Sequence, residues 1–246
     1  METAGPGPEH VPHRVADPED PPREMSGLAW GALVCLGLIG IVGLARIVAA
    51  LALGSAARGE GDVEAAYDTY TAFAGAHAVL FLIAAGVFIA WFFRAYKNLR
   101  RLGVENMRYR TGWAIGAWFI PFFNWFRPKH IANDVWRGSE RGVDVATQWR
   151  RVRVPGLVHW WWGLFLIQGF MLEVGQEITA SGYEKLSSFA SFDKGLTQIE
   201  SGTVADVLGG VCSLAALVLA MMVVRRLSNR LDEVREDALP TTEDTR

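Results

Sequence analysis

The sequence predicts an all-α membrane protein with four transmembrane helices plus a short aromatic re-entrant or interfacial segment. Two observations carry this: four apolar blocks long enough to cross a bilayer, and connecting segments whose charge alternates in sign. Bulk composition hides both. The 246 residues hold 24 Lys+Arg against 26 Asp+Glu, for a net charge of −2, with 51% hydrophobic residues. That is the mixture of an ordinary globular domain. The balance argues against nucleic acid as a partner, and two cysteines exclude a disulfide scaffold and a multi-cysteine zinc site. Only a mean hydropathy of +0.18 and ten tryptophans point elsewhere.

Residues 28–53 are apolar apart from Arg46, and residues 72–93 carry only His77. Residues 155–172 are interrupted by His159 and Gln168, and residues 203–224 by Asp206. A hydrocarbon core about 30 Å thick takes about 20 helical residues, and roughly 17 suffice. A soluble chain of this length with four such helices would have no amphipathic elements left to cover them. Residues 113–126, WAIGAWFIPFFNWF, form a different kind of block. As a helix it would reach only about 21 Å, and Pro121 breaks its hydrogen-bond ladder. Seven of its 14 residues are Trp or Phe, which favour the headgroup interface over the bilayer centre.

Charge placement supplies the threading. Residues 94–112 carry 6 Lys+Arg and residues 127–154 carry 7, whereas residues 54–71 carry 1 and residues 173–202 carry 2. If residues 113–126 crossed the membrane, the two most basic segments would face opposite sides, against the positive-inside rule. If they do not cross, residues 94–154 form one cytoplasmic region with 13 positive and 4 negative charges. The two segments poor in Lys and Arg then lie outside, and both termini are cytoplasmic. The tryptophans agree: Trp30, Trp91 and Trp160–Trp162 mark inner helix ends, and the other five lie within residues 94–154.

The domain plan is therefore a disordered Pro-rich cytoplasmic tail at 1–27, a four-span domain at 28–224 and a cytoplasmic tail at 225–246. Residues 1–24 hold six of the ten prolines and six acidic residues, which cannot bury a core and make a poor signal-peptide n-region. Leu227, Leu231 and Val234 predict that the last span continues as a helix into the C-terminal tail. Arginine makes up 20 of the 24 basic residues, which, with abundant Ala and Gly, suggests a GC-rich bacterial genome and hence the plasma membrane.

Several side chains are candidates for function. Residues 94–103, RAYKNLRRLG, set Tyr96, Leu99 and Gly103 opposite Arg94, Lys97 and Arg101, the pattern of a helix on an anionic surface. The plainer role of these charges is to fix orientation. Around Pro121, Asn124 is placed to satisfy backbone freed at a turn, giving either a pocket lined by Trp118, Phe122, Asn124 and Trp125 or a plug that packs the bundle. Arg46, His77, Glu173, Glu177 and Asp206 are polar groups toward the outer helix ends. Intramembrane charges are functional candidates by default, and Arg46 could pair with Asp206 or Glu173, although long side chains near helix ends also snorkel to water. His130 and Asp134 lie four apart on a short helix started by Pro128, a spacing that permits a hydrogen bond. No metal site, phosphate loop or catalytic motif is present, so no catalytic, cofactor or metal residues are assigned. Ala205, Gly209, Ser213, Ala216 and Ala220 form a small-residue stripe, and Gly27 with Gly31 a second pair, suited to close helix packing.

The run RAYKNLRRLG, then GWAIGAWFIPFFNWFRP and DVWRGS, resembles a bacterial integral-membrane family numbered forty-three twenty-eight among the domains of unknown function. The residues that carry it are Arg94, Tyr96, Asn98, Leu102, Gly103, Trp113, Trp118, Phe119, Pro121, Asn124, Pro128 and Trp136. The resemblance implies a multi-span membrane protein and supplies no activity.

The expectation for function is a non-enzymatic membrane component that binds lipid or a partner through its aromatic and basic cytoplasmic face. Its partners would be the bilayer, with anionic headgroups at residues 94–154, and either a second copy or another membrane protein. The alternatives are a small transporter or channel subunit using Arg46, His77 and Asp206, or a membrane enzyme around Asn124, His130 and Asp134.

Overall fold

A computed structural model describes residue 16 and residues 19–239. Four helices are long and apolar enough to cross a membrane: α1 (Ser26–Ala57), α2 (Val63–Arg101), α5 (Gly156–Lys185) and α6 (Phe192–Ala238). Between α2 and α5 lie the short helices α3 (Trp113–Gly116) and α4 (Arg127–Gly138) and two 3-10 turns. No strand occurs among the described residues. Most of the tail expected to be disordered lies outside the described residues, as does the end of the C-terminal tail. The chain divides into two compact units: Met1–Ala29 with Ile89–Pro155 and Arg225–Arg246, and Trp30–Phe88 with Gly156–Val224.

The unit Trp30–Phe88 with Gly156–Val224 has its apolar side chains outside as much as inside. On α1, Val34, Leu38, Ile41, Leu44, Val48 and Leu51 are exposed along one stripe, and Val204, Leu208, Val211 and Val218 are exposed on α6. Water would not tolerate so continuous an apolar surface on a monomer; lipid tails cover it at no cost. Inside, the helices meet through small residues. A Cβ added to Gly175 would stand 2.8 Å from the Asp206 nitrogen, and one on Gly202 would stand 2.7 Å from the Thr179 nitrogen. One added to Gly182 would reach the Gly195 carbonyl oxygen at 2.8 Å. So α5 and α6 pack backbone against backbone, through glycines seven residues apart: Gly175 and Gly182 on one helix, Gly195, Gly202 and Gly209 on the other. Of the small-residue stripe read at four-residue spacing, Gly209 shares this contact and Ala216 and Ala220 are buried. Gly27 meets nothing within 4 Å, so the pair with Gly31 is not a site of close approach.

In the other unit, α2 ends in a glycine cap. Gly103 adopts φ +75°, a conformation glycine takes without strain. Its N–H donates to the Arg100 carbonyl at 3.1 Å, and that of Val104 to Leu99 at 3.0 Å, the Schellman pattern. This corrects the surface-helix reading of residues 94–103. Tyr96 and Leu99 are fully buried against protein, and Arg101 is buried in an ion pair with Asp20, so that face is not available to lipid. The last described part of the N-terminal tail is strapped here too. The Asn98 side chain accepts from the Arg23 N–H at 3.0 Å and donates to the Arg23 carbonyl at 2.5 Å, while the Met25 N–H donates to Asp232 at 2.9 Å. Toward its C-terminus α6 buries Leu227, Leu231 and Val234, the continuation that their spacing predicts.

Candidate functional site

Two groupings of polar and aromatic side chains stand out, one in each unit. The first begins where α3 stops. The chain does not continue as a helix through Pro121: the Pro121 carbonyl accepts the Phe123 N–H at 2.8 Å, and the Asn124 N–H donates to Ile120 at 3.1 Å. Phe122 sits at φ +63°, a region that costs a bulky residue strain. The tight turn drives three large rings outward: Phe119, Phe122 and Trp125 are 73%, 69% and 63% exposed.

Behind the turn, Arg127 anchors the segment to α4. Its guanidinium lies 3.7 Å from the ring centroids of both Trp113 and Phe123, a cation–π sandwich that holds a charge without a carboxylate. Those two rings meet edge to face at 5.7 Å. Trp118 turns the other way, with its indole N–H on the Ala114 carbonyl at 3.1 Å and Phe92 against it at 5.8 Å. Trp118 is half-buried there, whereas Trp125 is exposed. The Asn124 side chain does not close the turn: its Oδ1 is buried without a hydrogen bond, and the backbone N–H does the closing.

Helix α4 opens with Pro128 in its first turn, as expected, and buries Ile131, Ala132, Asp134, Val135 and Gly138. His130 and Asp134 do not bond to each other. Tyr109, arriving from the preceding loop, takes His130 Nδ1 at 2.9 Å, and its own backbone is clamped by the Tyr96 hydroxyl at 3.1 and 3.2 Å. Asp134 keeps one oxygen unpartnered. Burial pushes its carboxyl up to about 6 even though Arg108, Arg137 and Arg150 face it. Burial likewise lowers Lys129 to about 8, helped by Arg137, and depresses His130 beside Arg108 and Lys129. Asp134 is thus a buried carboxyl among half-buried and exposed basic groups, and His130 bonds to Tyr109 instead of to it.

The second grouping joins three helices of the other unit. Arg46 of α1 and Asp206 of α6 make an ion pair, 4% and 1% exposed. Gly175 permits it, since α5 can approach the Asp206 backbone only where a side chain is missing. Tyr70 of α2 is buried within electrostatic reach of both partners. His77, two turns further along the same face of α2, lines a small cavity with Arg46, Asp206, Leu172 and Ser213. Glu173 and Glu177 are exposed and stand apart, so Asp206 and not Glu173 is the partner of Arg46. Toward the loops, Tyr67 stacks on Tyr183 at 3.6 Å, a contact that no spacing in the sequence signals. Among the described residues no cluster of His, Cys, Asp or Glu could hold a metal ion.

A family model described as Domain of unknown function (DUF4328) matches residues 54–229, from the end of α1 into the C-terminal part of α6. No curated protein and no solved structure matches the chain.

Proposed function

We propose, for a chain that belongs to the family described as Domain of unknown function (DUF4328), a role as a non-enzymatic membrane component that binds anionic lipid through the aromatic and basic face of residues 94–154. The observation that carries it is the outward trio Phe119, Phe122 and Trp125. Burying one large apolar side chain is worth about 1.5–3 kcal/mol, and here a proline turn and a left-handed residue leave three of them mostly exposed. Rings of this kind settle at the headgroup level. The same unit carries charges of the right sign for acidic headgroups: Arg108, Arg110, Arg150, Arg151 and Arg153 are exposed, and each basic residue near an anionic surface contributes about 1 kcal/mol.

The accompanying topology has both termini and residues 94–154 on the cytoplasmic side, supported by 13 positive charges there against 1 and 2 in residues 54–71 and 173–202. A bacterial plasma membrane fits the arginine-rich composition. The full chain in vesicles containing phosphatidylglycerol tests the reading by lipid-borne quenchers, comparing wild type with Trp125→Phe. The fluorescence component lost in the variant is expected to be quenched by a shallow spin label and shielded from aqueous iodide. Free quenching by iodide, with none by lipid, contradicts insertion.

A further inference from the structure

The Arg46–Asp206 cluster is incompletely satisfied in a way that asks for an occupant. Arg46 Nε and the Tyr70 hydroxyl are both buried and make no hydrogen bond, though each belongs to a side chain at least 95% buried. In a lipid environment an unmade hydrogen bond is costly, because no bulk water is present to replace it. Beside them lies a cavity of about 10 Å³, lined by Arg46, His77, Asp206 and Ser213 as well as Leu172 and Gly210. That is the room of about one water molecule, and four polar groups are the coordination a buried water needs.

We infer that Arg46, Asp206, His77 and Ser213 hold one water molecule and form a proton-binding site within the membrane domain, in which Asp206 takes up the proton and His77 passes it. The step balances within these groups. An imidazolium N–H of His77 breaks as its proton passes to the water; the water gives up one of its own to Asp206, and an O–H bond forms on the carboxylate. The Arg46–Asp206 pair is then a cation facing a neutral acid, and Arg46 keeps its charge against the water, the Tyr70 hydroxyl and the remaining dipoles. His77 suits the entry role because it is only partly buried while the pair is enclosed.

The groups that face this centre are few. Helix α1 brings Arg46, α2 brings Tyr70 and His77 with Tyr67 beyond, α6 brings Asp206, and α5 brings only Leu172 to the cavity. No other charged side chain enters it. Residues 28–45 of α1 carry no charged residue, and the matching apolar stretch of α2, residues 78–93, carries none either. On the topology proposed above, the proton therefore enters and leaves from the outer side. The site senses protons rather than conducting them, which parts it from a channel or transporter reading of the same residues.

Infrared difference spectroscopy on the full chain in vesicles, with the outer pH lowered, tests both halves. A carboxylic-acid C=O band is expected to rise, accompanied by an internal-water O–D band that shifts in heavy-oxygen water. Asp206→Asn should remove the acid band completely, and His77→Gln should slow its appearance at least tenfold with its final amplitude kept. Helical circular dichroism shows whether each variant folds. Arg46→Lys, which keeps the ion pair and loses Nε, should retain the acid band and lose the water band. An acid band that survives Asp206→Asn, no acid band in wild type at any outer pH, or an unchanged rate in His77→Gln overturns the proposal. None of these outcomes depends on whether Trp125 inserts into lipid.

Discussion

Asp134 is a carboxylate whose surroundings work against its charge. It lies on the buried face of α4 with one oxygen unpartnered, and burial lifts its carboxyl from 3.8 to about 6. Because the folded state holds that proton more tightly than the unfolded chain, its contribution is most favourable below pH 3.8 and is lost as pH rises through about 6. The loss approaches about 3 kcal/mol above that window. His130 and Lys129, both lowered, change stability in the opposite direction at higher pH, so the comparison must be made between variants. Asp134→Asn is expected to stabilise the detergent-solubilised chain by a few kcal/mol at pH 7 and to leave it unchanged near pH 3.5, read by thermal unfolding. Equal gains at both pH values would contradict the assignment.

The i, i+4 spacing of His130 and Asp134 permits a hydrogen bond, and the sequence offers no sign that Tyr109 would displace it. The same holds for half of the Arg127 sandwich: Phe123 lies four residues before it, but Trp113 comes from the far side of the proline turn. Partners set by a loop's path leave no trace in local periodicity. The Arg46–Asp206 pair was legible for the opposite reason: two charges in otherwise apolar blocks have few other choices.

At the level of elements, the four long helices follow from block length alone, and the cap of α2 follows from Gly103. What hydropathy leaves out is how they approach each other. Looking for small residues four apart finds Gly209 but misses the wider register, because α5 and α6 contact once every two turns. Glycines at 175 and 182, and at 195, 202 and 209, form that signal. Gly202→Val should therefore destabilise the chain by about 1–3 kcal/mol or more, the usual cost of forcing atoms into a filled space. Gly163→Ala, on α5 where nothing lies within 4 Å, should be neutral or slightly stabilising, since alanine is the better helix former. Thermal melts of the two variants decide it, and similar shifts for both would show that α5 and α6 are not packed through these glycines. Gly202→Val should also weaken the setting of Asp206, one turn away on the same helix.

For the whole molecule, a net charge of −2 conceals a strong separation. Residues 94–154 carry 13 positive and 4 negative charges, and residues 54–71 and 173–202 each carry a net −3. Combined with lipid-facing stripes on α1 and α6 and with rings turned outward at Phe119, Phe122 and Trp125, this separation is the basis of the proposed topology and of the proposed lipid-binding face. The short block 113–126 is central to both. It forms one four-residue helix and one three-residue 3-10 turn rather than a fifth helix of spanning length, so the two basic segments that flank it can share one side. The most direct test places single cysteines at Glu140 and at Glu60, in a background with Cys35 and Cys212 replaced, and labels intact cells with a membrane-impermeant thiol reagent. The account predicts labelling at position 60 and none at position 140 until the membrane is opened. Labelling at position 140 in intact cells would contradict it.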